Sequence, residues 1–221
     1  MKKYLSFAAI LLGICCSVFF LCSCGKRAQV KKSVDQETLR IMQKTQSELA
    51  ACVERCRSAA SQDAENSEIY LALANSQQVL VDRHDTIINI LLKKYKWERV
   101  STVAYPIEMD PRTIVLPPVE EYREILAKAN TETTLREILI ALEITNKVLE
   151  SDSGIEKLID PDAEETPKIE FYLCPVCGQL SLQKPEENCP VCHSDKERQI
   201  ELKNGELPPR EEGTFVTVSE K

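Results

Sequence analysis

Cys174-Pro175-Val176-Cys177-Gly178 and Cys189-Pro190-Val191-Cys192-His193 are near-copies of each other, with eleven residues between the two cysteine pairs. Thiolates are both nucleophiles and soft metal ligands. Two Cys-X-X-Cys turns facing each other can hold four of them about 2.3 Å from one central ion. In each turn the first Cys leads into a bend whose backbone N–H groups point at sulfur, and the residue after the second Cys lets the chain turn away. Such a tetrahedral site suits iron or zinc. Zinc would make it structural, and iron would make it a one-electron carrier; the side chains alone do not decide. A single Cys-X-X-Cys reads as well as a redox motif, whereas two at this separation point to a metal. The competing chemistry is disulfide pairing, but without an ion the segment has too few apolar residues to form a core of its own.

The ten cysteines of the chain sort by position. Cys15, Cys16 and Cys22 fall in a leader with a basic start, Lys2 and Lys3, and an apolar run over residues 8–21. That run is short for a bilayer span. It ends in Leu21-Cys22-Ser23-Cys24-Gly25, which resembles a bacterial lipobox with Cys22 as an unusual second residue. Cys24 is therefore the expected lipidation site, and residues 1–23 the expected signal peptide. Loss of Lys2 and Lys3 leaves 26 basic against 35 acidic side chains, a net charge near −9. An acidic surface argues against nucleic acid as a partner, and membrane attachment must come from acyl chains rather than a basic patch. The expected location is the bacterial cell envelope, with the leaflet left open. Cys52 and Cys56, one helical turn apart, face the same way. They read as small buried hydrophobes, with a redox role for Cys52 near Glu48 as the alternative.

Helices must position these groups. Leu39, Met42, Gln46, Leu49, Val53, Cys56 and Ala60 recur at alternating three- and four-residue steps, which predicts a helix over 35–62. After a polar break at 63–66, Ile69, Leu73, Leu80, Ile87 and Leu91 predict a second over about 67–97. So short a turn makes the two antiparallel. Pro106, Pro111, Pro117 and Pro118 forbid a helix across 98–118, which reads as a long crossover. Two further helices are expected over 119–130 and 133–151. The resulting division is a tether over 24–34, a helical domain over 35–152, a linker over 153–168, a four-cysteine module over 169–203 and a tail over 204–221.

The stretch from Phe171-Tyr172-Leu173-Cys174 to Ile200-Glu201-Leu202 resembles the rubredoxin-like domain of rubrerythrins. The shared marks are the aromatic before the first Cys, the Cys-Pro-X-Cys knuckle and the closing apolar-Glu-Leu strand. Rubrerythrins place that domain after a ferritin-like antiparallel four-helix bundle with a long crossover, so the resemblance implies a mainly α fold followed by a small β module. Here the second hairpin is short. The family's bundle houses a di-iron site built from Glu, Glu-X-X-His, Glu-X-X-Glu and Glu-X-X-His on successive helices. Glu48 falls at the first-helix position and His84 at the histidine of the second, but Val81 stands where that helix's carboxylate belongs. Glu121 and Glu124 have the third-helix spacing. Glu143 sits at the fourth-helix Glu, with Asn146 in place of its histidine. Val cannot bridge two ions, and Asn146 removes an imidazole, so a working di-iron centre is not expected. On the residues alone, His84 and Asn146 are expected to hydrogen-bond each other in a repacked core. Glu48 and Glu143 are expected in surface ion pairs, and Glu121 and Glu124 in solvent.

The resemblance implies electron transfer or peroxide reduction against oxidative stress, a redox partner protein and a homodimer. The alternative is a non-enzymatic lipoprotein whose cysteine module binds zinc structurally while the helices form an interaction surface. Whether the chain is an enzyme stays open between the two.

Overall fold

The computed structural model describes residues 35–99, 127, 135–159 and 169–208. Helix α1 spans 35–62, α2 Ser67–Tyr95 and α3 Arg136–Glu156. The apolar stripe of α1 is buried as its spacing requires: Leu39, Met42, Leu49, Val53 and Cys56 all lie within the core. Asp63 organises the turn into α2. Its carboxylate accepts from the Asn66 backbone N–H (3.2 Å), the Asn66 amide (2.9 Å) and the Tyr70 hydroxyl (3.3 Å). At the far end Lys96 adopts a left-handed conformation, φ 55°, and its N–H closes on the Leu92 carbonyl. That C-cap ends α2 two residues before the expected limit. Arg99 then ties back to Asp85 and Asn89, both at 2.8 Å.

Helix α3 runs five residues past the expected 151. Ser151-Asp152-Ser153-Gly154 has poor helix propensity, yet Asp152 and Ile155 are buried. Tertiary contact carries the helix through what reads as a linker. No helix among the described residues is long and apolar enough to cross a membrane.

Three short strands complete the fold: β1 (Phe171–Leu173), β2 (Leu180–Ser181) and β3 (Ile200–Leu202). They form an antiparallel sheet of order β2-β1-β3, with Leu173 opposite Leu180 on one side and Ile200 on the other. A two- or three-residue strand cannot stand alone, and these do not. Phe171, Leu173, Leu180 and Leu202 enter one apolar cluster with Val53, Cys56, Ile69 and Leu73 of the helices. The sheet is thus part of the helical core.

Close backbone contact makes this docking tight. The turn after β3 pairs Lys203 with Glu206 around Asn204 (φ 53°) and Gly205 (φ 75°), the two positive φ values of an Asn-Gly hairpin turn. A Cβ at Gly205 would stand 2.3 Å from the Glu68 carbonyl oxygen of α2. The Asn75 amide donates to the Gly205 carbonyl at 2.8 Å. Gly205→Ala is therefore expected to cost about 2–4 kcal/mol, from a strained φ plus a backbone clash. Gly154→Ala, with nothing within 4 Å of the new Cβ, should stabilise by about 0.5–1 kcal/mol. Urea unfolding of the two variants checks both signs.

Candidate metal centre

Strand β1 delivers Cys174 into the first knuckle, and the frame repeats in the second. Gly178 N–H donates to Cys174 O (2.9 Å) and Cys174 N–H to Gln179 O (2.9 Å); His193 N–H donates to Cys189 O (2.8 Å) and Cys189 N–H to Ser194 O (2.9 Å). Each turn closes through a residue of positive φ, Gly178 at 88° and His193 at 60°. Glycine adopts this freely, and His bears some cost. At Gly178 a Cβ would also lie 2.7 Å from the Ser76 carbonyl oxygen of α2. The first knuckle is therefore pressed against the helix, while the second buries Cys189 and leaves Cys192 partly exposed.

The four sulfurs of Cys174, Cys177, Cys189 and Cys192 lie within 4.8 Å of one another. The Cys174–Cys192 and Cys177–Cys189 separations are 3.6 and 3.5 Å. A disulfide needs about 2.05 Å, whereas a tetrahedron with metal–sulfur bonds of about 2.3 Å has edges of about 3.8 Å. The donor set thus fits a single ion of the zinc or iron kind. Hydrogen bonds from Cys177, then Cys189, and further ones from Ser194 and the Val176 N–H, hold the Cys174 thiol well below its ordinary value. The same sharing drives Cys177 far up, and Cys189 to about 11, with Cys174 the main cause for each. These thiols share their protons among themselves; a bound cation would displace those protons and take all four sulfurs as thiolates.

Cys174, Cys177 and Cys189 are buried against Leu49, Leu80, Ile144, Val148 and Leu149. Cys192 is only partly buried and His193 is exposed. The centre is sealed on the helix side and approachable on the other.

The candidate bundle ligands Glu48, His84 and Glu143 form no second cluster among the described residues. Among the described residues the four cysteines are the one cluster of three or more such ligands. Glu48 pairs with Lys44 at 3.3 Å and Glu143 with Lys147 at 3.1 Å; Glu121 and Glu124 lie outside the described residues. His84 is fully buried, but its partner is Thr145, Nε2 to Oγ1 2.8 Å. The expected His84–Asn146 bond is not formed: the Asn146 amide donates to Glu150 at 3.0 Å on its own helix. One residue of helix rotation decides this: Thr145 is aimed at His84, whereas Asn146, though also buried, is aimed along its own helix. Thr145 gives its proton to the Ala141 carbonyl at 2.9 Å, so His84 Nε2 is the donor to Thr145. Burial pulls the His84 pKa down to about 4, partly opposed by the Met42 carbonyl. The imidazole is neutral.

Sequence reasoning missed two residues. Asp152 is fully buried and accepts at one carboxylate oxygen from Ser76 Oγ (2.7 Å) and Gln77 Nε2 (2.6 Å). Burial raises its pKa to about 7 against these two hydrogen bonds. Its signal was the continuing three- and four-residue step 142, 145, 149, 152. Ser194, the second, reaches the sulfurs directly; it had no signal beyond its place after the knuckle. Cys52 and Cys56 are fully buried with sulfurs 4.0 Å apart. Helical spacing alone accounts for that separation.

No family model and no curated protein matches the sequence. Among solved structures, fully reduced, all-ferrous nigerythrin is similar, with a TM-score of 0.56 at 15% identity over 75% of this chain and 85% of that one. Mixed-valent nigerythrin is similar at a TM-score of 0.49 and 17% identity, over 75% and 84%. The likeness at this level is one of fold: a ferritin-like helical bundle followed by a rubredoxin-like module, as in nigerythrin, a rubrerythrin.

Proposed function

We propose that the chain is a rubrerythrin-like metal-binding lipoprotein whose four-cysteine centre carries single electrons in defence against oxidants. The convergence of Cys174, Cys177, Cys189 and Cys192 within 4.8 Å is the observation that supports it most. Iron is the reading favoured by the all-ferrous state of nigerythrin; held by these four thiolates it supplies one-electron chemistry. The chain's own residues contribute burial on three sulfurs, which limits oxidation and water access. They also leave one partly exposed edge at Cys192 and His193, through which a redox partner protein would approach. Lipidation at Cys24 would hold this assembly at a membrane of the cell envelope.

A second reading has its own support. The module's core is continuous with that of the helices, which is what a structural zinc site would serve. Metal analysis and visible absorption of the purified protein separate the two. One iron per chain with thiolate-to-iron charge-transfer bands supports electron transfer, and one colourless zinc supports the structural role. A metal-free protein with its thiols oxidised in pairs would sink both. Fatty-acid labelling that survives Cys24→Ala would overturn the anchor.

A further inference from the structure

We propose that Ser194 is the residue that sets the electron density on the sulfurs of the metal centre, by donating its hydroxyl proton across the site to Cys174. The proposal rests on the metal-binding reading above and deepens it. Ser194 Oγ lies 3.2 Å from the Cys174 sulfur on the opposite knuckle and 3.3 Å from that of Cys192 on its own. Among the described residues it is the one side chain besides the cysteines that hydrogen-bonds these sulfurs.

The internal pseudo-symmetry supplies the control. Gln179 occupies the matching place after the first knuckle, and its carbonyl plays the same backbone role as that of Ser194. Its side chain does something else: the amide donates to Ser151 Oγ at 2.6 Å and to the Leu180 carbonyl at 2.7 Å. One knuckle thus spends its side chain on holding the module to α3, and the other on the sulfurs. A hydroxyl carries one proton and two lone pairs. With both cysteines as metal-bound thiolates, the hydroxyl proton is the only one in this trio; it goes to Cys174, because the Ser194 hydroxyl is placed to donate to that sulfur and only to accept from Cys192. A hydrogen bond to a thiolate withdraws charge that would otherwise go to the ion. It therefore favours the reduced state of iron and lowers the energy of the sulfur lone pairs.

The test uses the full mature chain loaded with cobalt(II), whose thiolate charge-transfer bands report sulfur donor strength whichever metal is native. Ser194→Ala is expected to shift those bands to longer wavelength, through stronger sulfur donation, and to weaken cobalt(II) binding about tenfold in chelator competition, through loss of the hydrogen bond that orients Cys174. Ser194→Thr, which keeps the hydroxyl, should restore both. In the iron-loaded protein Ser194→Ala should move the midpoint potential negative. Wild-type chain that binds cobalt(II), with Ser194→Ala bands and affinity superimposable on it, overturns the role of Ser194 alone. Wild-type chain that takes up no cobalt(II) overturns the metal reading and this proposal with it. Ser194→Thr behaving like Ser194→Ala assigns the effect to packing and also overturns it.

Discussion

Cys177→Ser protein is expected to lose stoichiometric metal and to melt about 10 °C or more below the wild type. The sulfur of Cys177 is fully buried and lies 3.5 Å from that of Cys189, so a hydroxyl in its place leaves three thiolates around a site made for four. Structural metal binding of this kind is worth about 10–16 kcal/mol in small modules. Losing a small part of it, about 3–5 kcal/mol, lowers the melting point of a chain this size by about 10 °C. The loss is not confined to the module, because the cysteines share a cluster with Leu49, Leu80 and Val148 of the helices. The helical circular-dichroism signal should therefore melt early too. Cys56→Ala is the control: equally buried but outside the metal cluster, it should cost about 1–2 kcal/mol with metal content unchanged. A Cys177→Ser protein with full metal, or with unchanged helix melting, would contradict the shared core.

The second large effect is one of pH. Folded Asp152 titrates near 7 instead of 3.8, and folded His84 near 4 instead of 6.5. Asp152 has a raised pKa, so its contribution is fully present below pH 3.8 and lost as pH rises through about 7. His84 has a lowered pKa, so its contribution is present above pH 6.5 and lost as pH falls through about 4. Between pH 4 and 6.5 the folded chain holds its one proton on Asp152 and the unfolded chain holds it on His84, and the two slopes cancel. Wild-type stability should be nearly flat there as far as this pair is concerned. Asp152→Asn should gain about 3 kcal/mol from pH 4 to 6.5, and His84→Gln should lose about as much over that range. Urea unfolding at four pH values reads the slopes directly. Asp85 and Asp63 also titrate below their ordinary values. For Asp85 the leading cause is the Arg99 hydrogen bond; for Asp63, hydrogen bonds from Asn66 and Tyr70 outweigh the larger effect of burial. Both act toward and below pH 3.8, equally in all three proteins. Variants whose slopes match the wild type would remove the buried neutral pair from the account.

Local regularities carried much of the fold in advance. The step from Leu39 to Ala60 is a property of one helix, and the cysteine spacing is a property of two turns, so both could be read from residue order. What could not be read depends on rotation and on distant partners. Thr145 rather than Asn146 meets His84 because of one residue of helical phase. Helix α3 reaches Glu156 because Ser76 and Gln77, more than seventy residues away, receive Asp152. Ser194 meets Cys174 only after two knuckles have been brought face to face. The strands, two or three residues each, carry too few alternations to reveal that Phe171 and Leu173 belong to the helical core.

The contact of Gly178 and Gly205 with the carbonyls of α2 bears on how this architecture can be rebuilt. The cysteine segment is not an exchangeable cassette. A donor segment with any side chain at position 205 would be held off the helix, however good its own thiolate geometry. A chain cut before residue 169 would bare the faces of Val53 and Leu73 to water and should be recovered as an aggregate. Recombination between relatives of this protein has to cross over upstream of α1 or replace α2 and the segment together.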